Sequence, residues 1–462
     1  MKTVPWCLIA CLVPSLVFAQ GSLDPPPGLP GLTFKTLQQI EPRTDLRVLY
    51  EQNHDGVADD TTVEIIISDP GSYYLTSNLE VARTTGIFVG QFAGEVTIDL
   101  NGFRISRRSG TSGSGIHLDR GVAPSHCTVR NGSISGFSTG ISFLSGASAR
   151  RGGAYIDLVA SSCTTGLSAG AGWRMTRCTA HDNTGAGIVA SIGCSFSDCA
   201  AYKNGGIGMT TSEGSTLVNC TARDNQGAHG IQAGDGCTIT ACTAVGGGGN
   251  GITLGERSTV TGCTVAANGG DGILAGVGST VALSTSSRNA GDGIETGPSA
   301  NVRDCTLYEN DGHGINASSG TVIRGCAARA NQGNGIVVGG SGLISECVAN
   351  LNGKKTSPNN TASDGIEINS GRTRVVNCTV FDNAGHGIHS TSTNNRNFIE
   401  GCLAHSNDAF GIFVQVGAGD TVIKNQVGGN SGGTINQSGG NIAPIQTAST
   451  AVGSIHPLAN FP

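Results

Sequence analysis

Eight polar residues recur at a spacing that would set them in one row: His229, Asn250, Asp271, Asp292, His313, Asn334, Asp364 and His386, each two positions before an Ile. Aspartate and histidine are side chains commonly used for proton transfer near neutral pH. If neighbours in the row sit on successive layers of a repeat, Asp271 and Asp292 lie about 4.8 Å apart. Two carboxyl groups that close raise one another's pKa and become an acid/base pair, with His313 next in line. Asp271, Asp292 and His313 are therefore the catalytic candidates, and His229, Asn250 and Asn334 extend them into a candidate substrate-binding stripe. The competing reading is structural: Asp, Asn and His tolerate turn geometry ahead of Gly, so such a row accompanies the repeat whatever it does.

Other residues offer less. In Glu51 to Asp60, Asn53, Asp55 and Asp59 alternate around Gly56 as in a calcium loop, which makes calcium the one cofactor the sequence suggests. Thr62 stands where an EF-hand places its bidentate carboxylate, so a solvated turn competes with that reading. Arg223, Arg288 and Arg329 fall near turns where they could meet an acidic sugar, and Tyr202, Tyr308 and Phe410 are the aromatics available to stack on one. No Cys-x-x-Cys pair suggests structural zinc.

The row exists because the sequence keeps time. Asn-x-Gly-x-Gly-Ile recurs from Asn183, Asn268, Asn289, Asn310, Asn331 and Asn383. The aliphatic residue closing each unit falls at Ile116, Ile141, Leu167, Ile188, Met209, Ile231, Ile252, Ile273, Ile294, Ile315, Ile336, Ile366, Ile388 and Ile412. A step of 21 or 22 holds from Leu167 to Ile336. That period is too short for a propeller blade or helical hairpin, and no leucine-rich frame is present. Each unit reads as three short β runs broken by Gly and Asn, as in Thr259-Val260-Thr261, Cys263-Thr264-Val265 and Ile273-Leu274-Ala275. With 73 Gly, 13% charged residues and 5% aromatics, the composition suits turns and thin strands. A coil of this kind buries its apolar side only against the coils above and below. The expected fold is all-β, a parallel β-helix of about fourteen coils and roughly 65 Å.

Two further ladders follow from that fold. Cys178, Cys199, Cys220, Cys242, Cys263, Cys305, Cys326, Cys378 and Cys402 form one, with Ser284 at a missing rung. In-register neighbours hold their Cβ atoms at about the strand spacing, wider than the ~3.8 Å of a disulfide, so these cysteines are expected to be buried and unpaired. Cys194 and Cys237 are less constrained. The asparagines Asn183, Asn204, Asn225, Asn268, Asn289, Asn310, Asn331, Asn383 and Asn407 form the other, read as structural: Asn tolerates left-handed backbone, and stacked amides bond from coil to coil.

The Asn ladder, the Gly-x-Gly-Ile signature and the 21-residue period resemble the pectate-lyase-like superfamily of right-handed parallel β-helices, across residues 96 to 427. The segments Pro70 to Thr76, Val96 to Phe103 and His456 to Phe461 resemble a narrower group of exported bacterial β-helix-repeat proteins of undefined activity. The superfamily implies polysaccharide lyases, hydrolases or epimerases, but Asn-Thr-Asp, Arg-Ile-Lys and Asp-Pro-His-Glu are all missing. His229-Gly230, His313-Gly314 and His386-Gly387 match a hydrolase-type His-Gly only inside the repeat frame.

Residues 1–19 read as an export signal, with Lys2, an apolar run from Val4 and the exit Val17-Phe18-Ala19. Residues 20–33 are a Pro/Gly-rich leader, 34–95 an N-terminal cap, 96–427 the β-helix and 428–462 a C-terminal cap over the last open edge. An insertion around Gly353 to Asn359 interrupts the period before Ile366. The formal charge of -6 with no basic cluster argues against nucleic acid, and no later stretch is apolar enough to cross a bilayer. The expected product is a monomer, secreted to the periplasm, cell surface or medium. Three functions remain: a scaffold binding polysaccharide or cell-surface glycan without catalysis, a polysaccharide lyase, hydrolase or epimerase, and a structural adhesion rod.

Overall fold

The computed structural model describes residues 43–54, 61–90, 94–119, 126–143, 152–353, 363–391, 396–415, 419–436, 441–443 and 458–460. Among them, one ladder stacks seventeen parallel strands, from Val63–Ile67 to Gly433–Ile435. This Ile sheet gives about sixteen coils, close to the fourteen expected. At ~4.8 Å per step the rod is roughly 75 Å long. The other strands, most coils contributing two, join a continuous sheet of 32.

The clock residues are in register. Ile273 faces Ile294, Ile294 faces Ile315 and Ile315 faces Ile336, and every member from Ile116 to Ile412 is fully buried. In three-residue strands of the Ile sheet such as Ile294-Glu295-Thr296 the first and third side chains point inward and the second outward, whereas in the larger sheet the middle one is buried, as in Asn301-Val302-Arg303. That alternation builds the core and, on the other side, supplies an outward column one residue after each Ile.

Both glycines of the signature make room for side chains in adjacent coils. A Cβ at Gly293 would come within 2.7 Å of Asn310 Nδ2, and one at Gly312 would collide with Asp292 Oδ1. The first contact belongs to the core, the second to the stripe.

The asparagines stack inside as expected, Nδ2 donating to the next Oδ1 at 2.8–3.0 Å, with one break above Asn225, where Gly247 takes the rung and gives its N–H to Asn268 Oδ1 at 3.0 Å. Asn352 and Asn430 belong to the same ladder. The left-handed residue at this corner is not the Asn but the one before it, such as Arg288 with φ 56°. This frees the Asn side chain to turn inward, where both halves of its amide are needed. Fourteen cysteines are buried and unbridged, as expected, and Cys347 joins their ladder. Cys194 and Cys237 do not pair elsewhere but alternate with serines, the Cys194 amide donating to Ser215 Oγ at 3.0 Å and that of Ser215 to Cys237 Sγ at 3.3 Å.

The rungs begin earlier than the sequence indicated. Ile65 faces Ile87 and Ile87 faces Ile116, so much of 34–95 is solenoid rather than cap. These coils lack the Asn-x-Gly-x-Gly-Ile signature, and their steps to Ile116 vary. The helix Leu46–Gln52 lies against the first Ile strand, burying Leu46. Strands also continue past 427, through Gly433–Ile435 to Asn441–Ile442. Asn460 then closes the cysteine column by accepting from the Asn425 amide at 2.9 Å, while Leu458 remains 40% exposed. Residues 444–457 and 461–462, the leader and the export signal lie outside the described residues. No helix among those described is long and apolar enough to cross a membrane.

Candidate functional site

The predicted row forms a continuous column at the leading edge of the Ile sheet. From Asn250 onward each member uses its δ1 atom to accept the backbone N–H of the next, whereas the Asn250 N–H goes to Ala228 O at 2.8 Å and leaves His229 Nδ1 for a lateral partner. Asn250 Oδ1 takes Asp271 N at 2.8 Å, Asp271 Oδ1 takes Asp292 N at 2.8 Å, and Asp292 Oδ1 takes His313 N at 2.6 Å. His313 Nδ1 takes Asn334 N at 2.9 Å, Asn334 Oδ1 takes Asp364 N at 2.6 Å, and Asp364 Oδ1 takes His386 N at 2.5 Å. His386 Nδ1 ends the series on Phe410 N at 3.1 Å. This bond requires only an acceptor at the δ1 position, which Asp, Asn and neutral His all supply. It explains why the row reads as those three residue types.

Half of the site was missed in the sequence. The outward residue after each Ile makes a second column, containing Thr253, Glu295, Asn316, Glu367, His389 and Phe413. The signal was present as a charged or polar residue between two inward-facing ones, as in Ile366-Glu367-Ile368. Atoms of the first column that are not used in this series bond across to the second. His229 Nδ1 meets Thr253 Oγ1 at 3.0 Å, Asn316 Nδ2 donates to Asp292 Oδ2 at 2.9 Å, and Asn334 Nδ2 donates to Glu367 Oε2. His389 Nδ1 meets Asp364 Oδ2 at 2.7 Å.

Two clusters stand out on this lattice. In the first, ligand-capable atoms of Asp271, Asp292 and Glu295 lie within 4.8 Å of one another. The acid pushed up here is that of Glu295, by partial burial and then by the charges of Asp271 and Asp292. In the second, Asp364, His386 and His389 meet the same distance limit. The Asp364 side chain is only 6% exposed, and burial pushes the His386 pKa down. Phe413 stacks on His386 with centroids 4.5 Å apart, and Phe410 lies beside both rings. His313 lies on the coils between the clusters, and burial also lowers the His229 pKa.

Other candidates lie elsewhere. Arg223 pairs with Asp224 at 3.2 Å, and Arg288 with Glu309 at 2.7 Å. Arg223, Arg329, Tyr202 and Tyr308 belong to strands of the larger sheet, where Tyr202 stacks on His181. Asn53 donates to Val63 O at 2.8 Å and ties the helix to the first rung; Asp55 and Asp59 lie outside the described residues, as do Lys354 and Lys355 of the insertion.

The class is thus a parallel β-helical solenoid with a polar lattice on one sheet. The family model for the right handed beta helix region matches residues 166–297, 231–366 and 292–447, together more than half of the chain. The protein belongs to that family. No curated protein sequence matches it. Among solved structures, pectate lyase Pel9A is 15% identical over 55% of this chain and 70% of its own, with a TM-score of 0.32. The periplasmic alginate epimerase AlgG is 10% identical over 79% and 83%, with a TM-score of 0.37. The mannuronan C-5 epimerase AlgE4 A-module of Azotobacter vinelandii is 14% identical over 86% and 94%, with a TM-score of 0.28. At such identity and overlap none of these carries an activity to this chain.

Proposed function

We propose that the protein is an exported, monomeric scaffold that binds an extended polysaccharide along the outward face of its Ile sheet. The observation that carries this reading is the two-column lattice itself. It presents fixed carboxylate, amide and imidazole groups at a repeat of about 4.8 Å, close to the length of one pyranose ring. It ends at the half-exposed rings of Phe410 and Phe413, which suit the apolar faces of a sugar. Because the groups are already bonded to one another, little side-chain entropy is lost on binding. Calcium enters as a conditional partner, since Asp271, Asp292 and Glu295 offer oxygen ligands of the kind it takes.

The test is retention of the protein on acidic and neutral polysaccharide gels, with and without calcium. Phe410→Ala/Phe413→Ala is expected to weaken retention about tenfold, as for removal of a stacking contact or two of ~1 kcal/mol. Retention unchanged in that variant would remove the lattice from the binding site. Retention of neither protein on any gel would leave the adhesion rod.

One observation favours an enzymatic second reading. Glu295 holds its proton more tightly than an ordinary glutamate beside two further carboxyl groups, an arrangement able to supply a general acid and a base. Unsaturated or reducing-end products lost in Glu295→Gln while retention persists would establish it.

A further inference from the structure

The second cluster differs from a sugar contact in its chemistry. Asp364, His386 and His389 come from two successive coils, and their ligand-capable atoms lie within 4.8 Å of one another. Two imidazoles and one carboxylate are a borderline donor set, suited to zinc and its first-row neighbours rather than to calcium, which takes oxygens. We propose that Asp364, His386 and His389 bind a divalent transition metal, with zinc as its representative.

Three features support the site beyond the donor set. Asp364 is nearly buried and is fixed by its Oδ1, which accepts the His386 amide, leaving Oδ2 turned to His389. The two imidazole rings are inclined at 64° with centroids 4.8 Å apart, so they converge rather than stack. Phe413 packs against both rings, limiting their freedom and the water around them. Zinc bonds of about 2.0–2.2 Å need ligand atoms about 3–3.5 Å apart; Asp364 Oδ2 and His389 Nδ1 already stand at 2.7 Å, so His386 is the ligand that has to adjust. On metal binding His386 would turn its Nδ1 from the part-buried Phe410 N–H, which it accepts at 3.1 Å in the free protein. Glu367 lies in register with His389 one coil below, its carboxylate accepting from Asn334 Nδ2. The proposal is independent of glycan binding.

The experiment is titration of the chelator-treated full chain with Zn2+ by calorimetry and with Co2+ by visible absorption. The expected result is a single ion per chain at micromolar Kd, with Co2+ bands of nitrogen and oxygen ligation, unaffected by millimolar calcium. His386→Ala/His389→Ala should weaken binding at least about 100-fold, whereas His181→Ala/His405→Ala should not change it. Should the alanine variant fold poorly, Asp364→Asn keeps the acceptor for the His386 amide and should still weaken binding at least about tenfold. Absence of binding, equal affinity in the site variants, or the near-ultraviolet band of a cobalt–thiolate bond would overturn the proposal.

Discussion

Two columns of polar side chains run along this rod, three residues apart in most coils, and they answer to different rules. The inner column, represented by Asn289, Asn310 and Asn331, is fully buried and almost invariant in residue type along the chain. The outer column, represented by Asp271, Asp292 and His313, varies among Asp, Asn and His. Both carry a bond from one coil to the next. Inside, each side chain must donate and accept at once, because an unpaired buried amide is costly, and only an amide does both. Outside, one acceptor is enough. The second polar atom is then available for a lateral partner, which is where the two clusters arise.

The comparison is broken most directly from inside. Asn310→Ala removes the acceptor for Asn289 Nδ2 and N, and the donor to Ser286 O, all buried. A destabilisation of about 3 kcal/mol is expected from the stranded groups, visible as a lowered urea midpoint. A shift as small as that of an outer variant would mean that burial does not distinguish the columns.

The outer column should respond less and should discriminate by chemistry. Asp292→Ala deletes the acceptor for the His313 amide and the partner of Asn316, and should cost about 1 kcal/mol. Asp292→Asn keeps the acceptor and should stay within about 0.5 kcal/mol of the parent in the same unfolding measurement. Equal losses in the two variants would refute the one-acceptor rule.

The smallest expected effect is electrostatic. The raised Glu295 pKa means that the folded protein binds this proton more tightly than the unfolded chain. Stability from this group therefore falls as pH rises from the ordinary glutamate range through its raised folded value. Glu295→Gln should raise the melting temperature by about 1 °C at pH 7 and make little difference at pH 4. A lower melting temperature at pH 7 would show that the carboxylate is stabilised by its surroundings.

Much of this architecture is written in the sequence because a solenoid repeats its local rules. The spacing from Leu167 to Ile336 determined the register, the unpaired cysteines and the stacked asparagines, since each coil must match the one below it. Where the signature is missing, at Ile65 and Ile87 and again at Ile435, the rungs were hidden and the ends were read as caps. The row from His229 to His386 was legible for the same reason as the core. Its partners Glu295, Glu367 and His389 were not, because the repeat fixes that they point outward but not what they meet. The tertiary structure decided that part. It brought Asp364 against His389 across the step from one coil to the next, a diagonal contact that depends on side-chain direction and strand spacing rather than on any period in the chain.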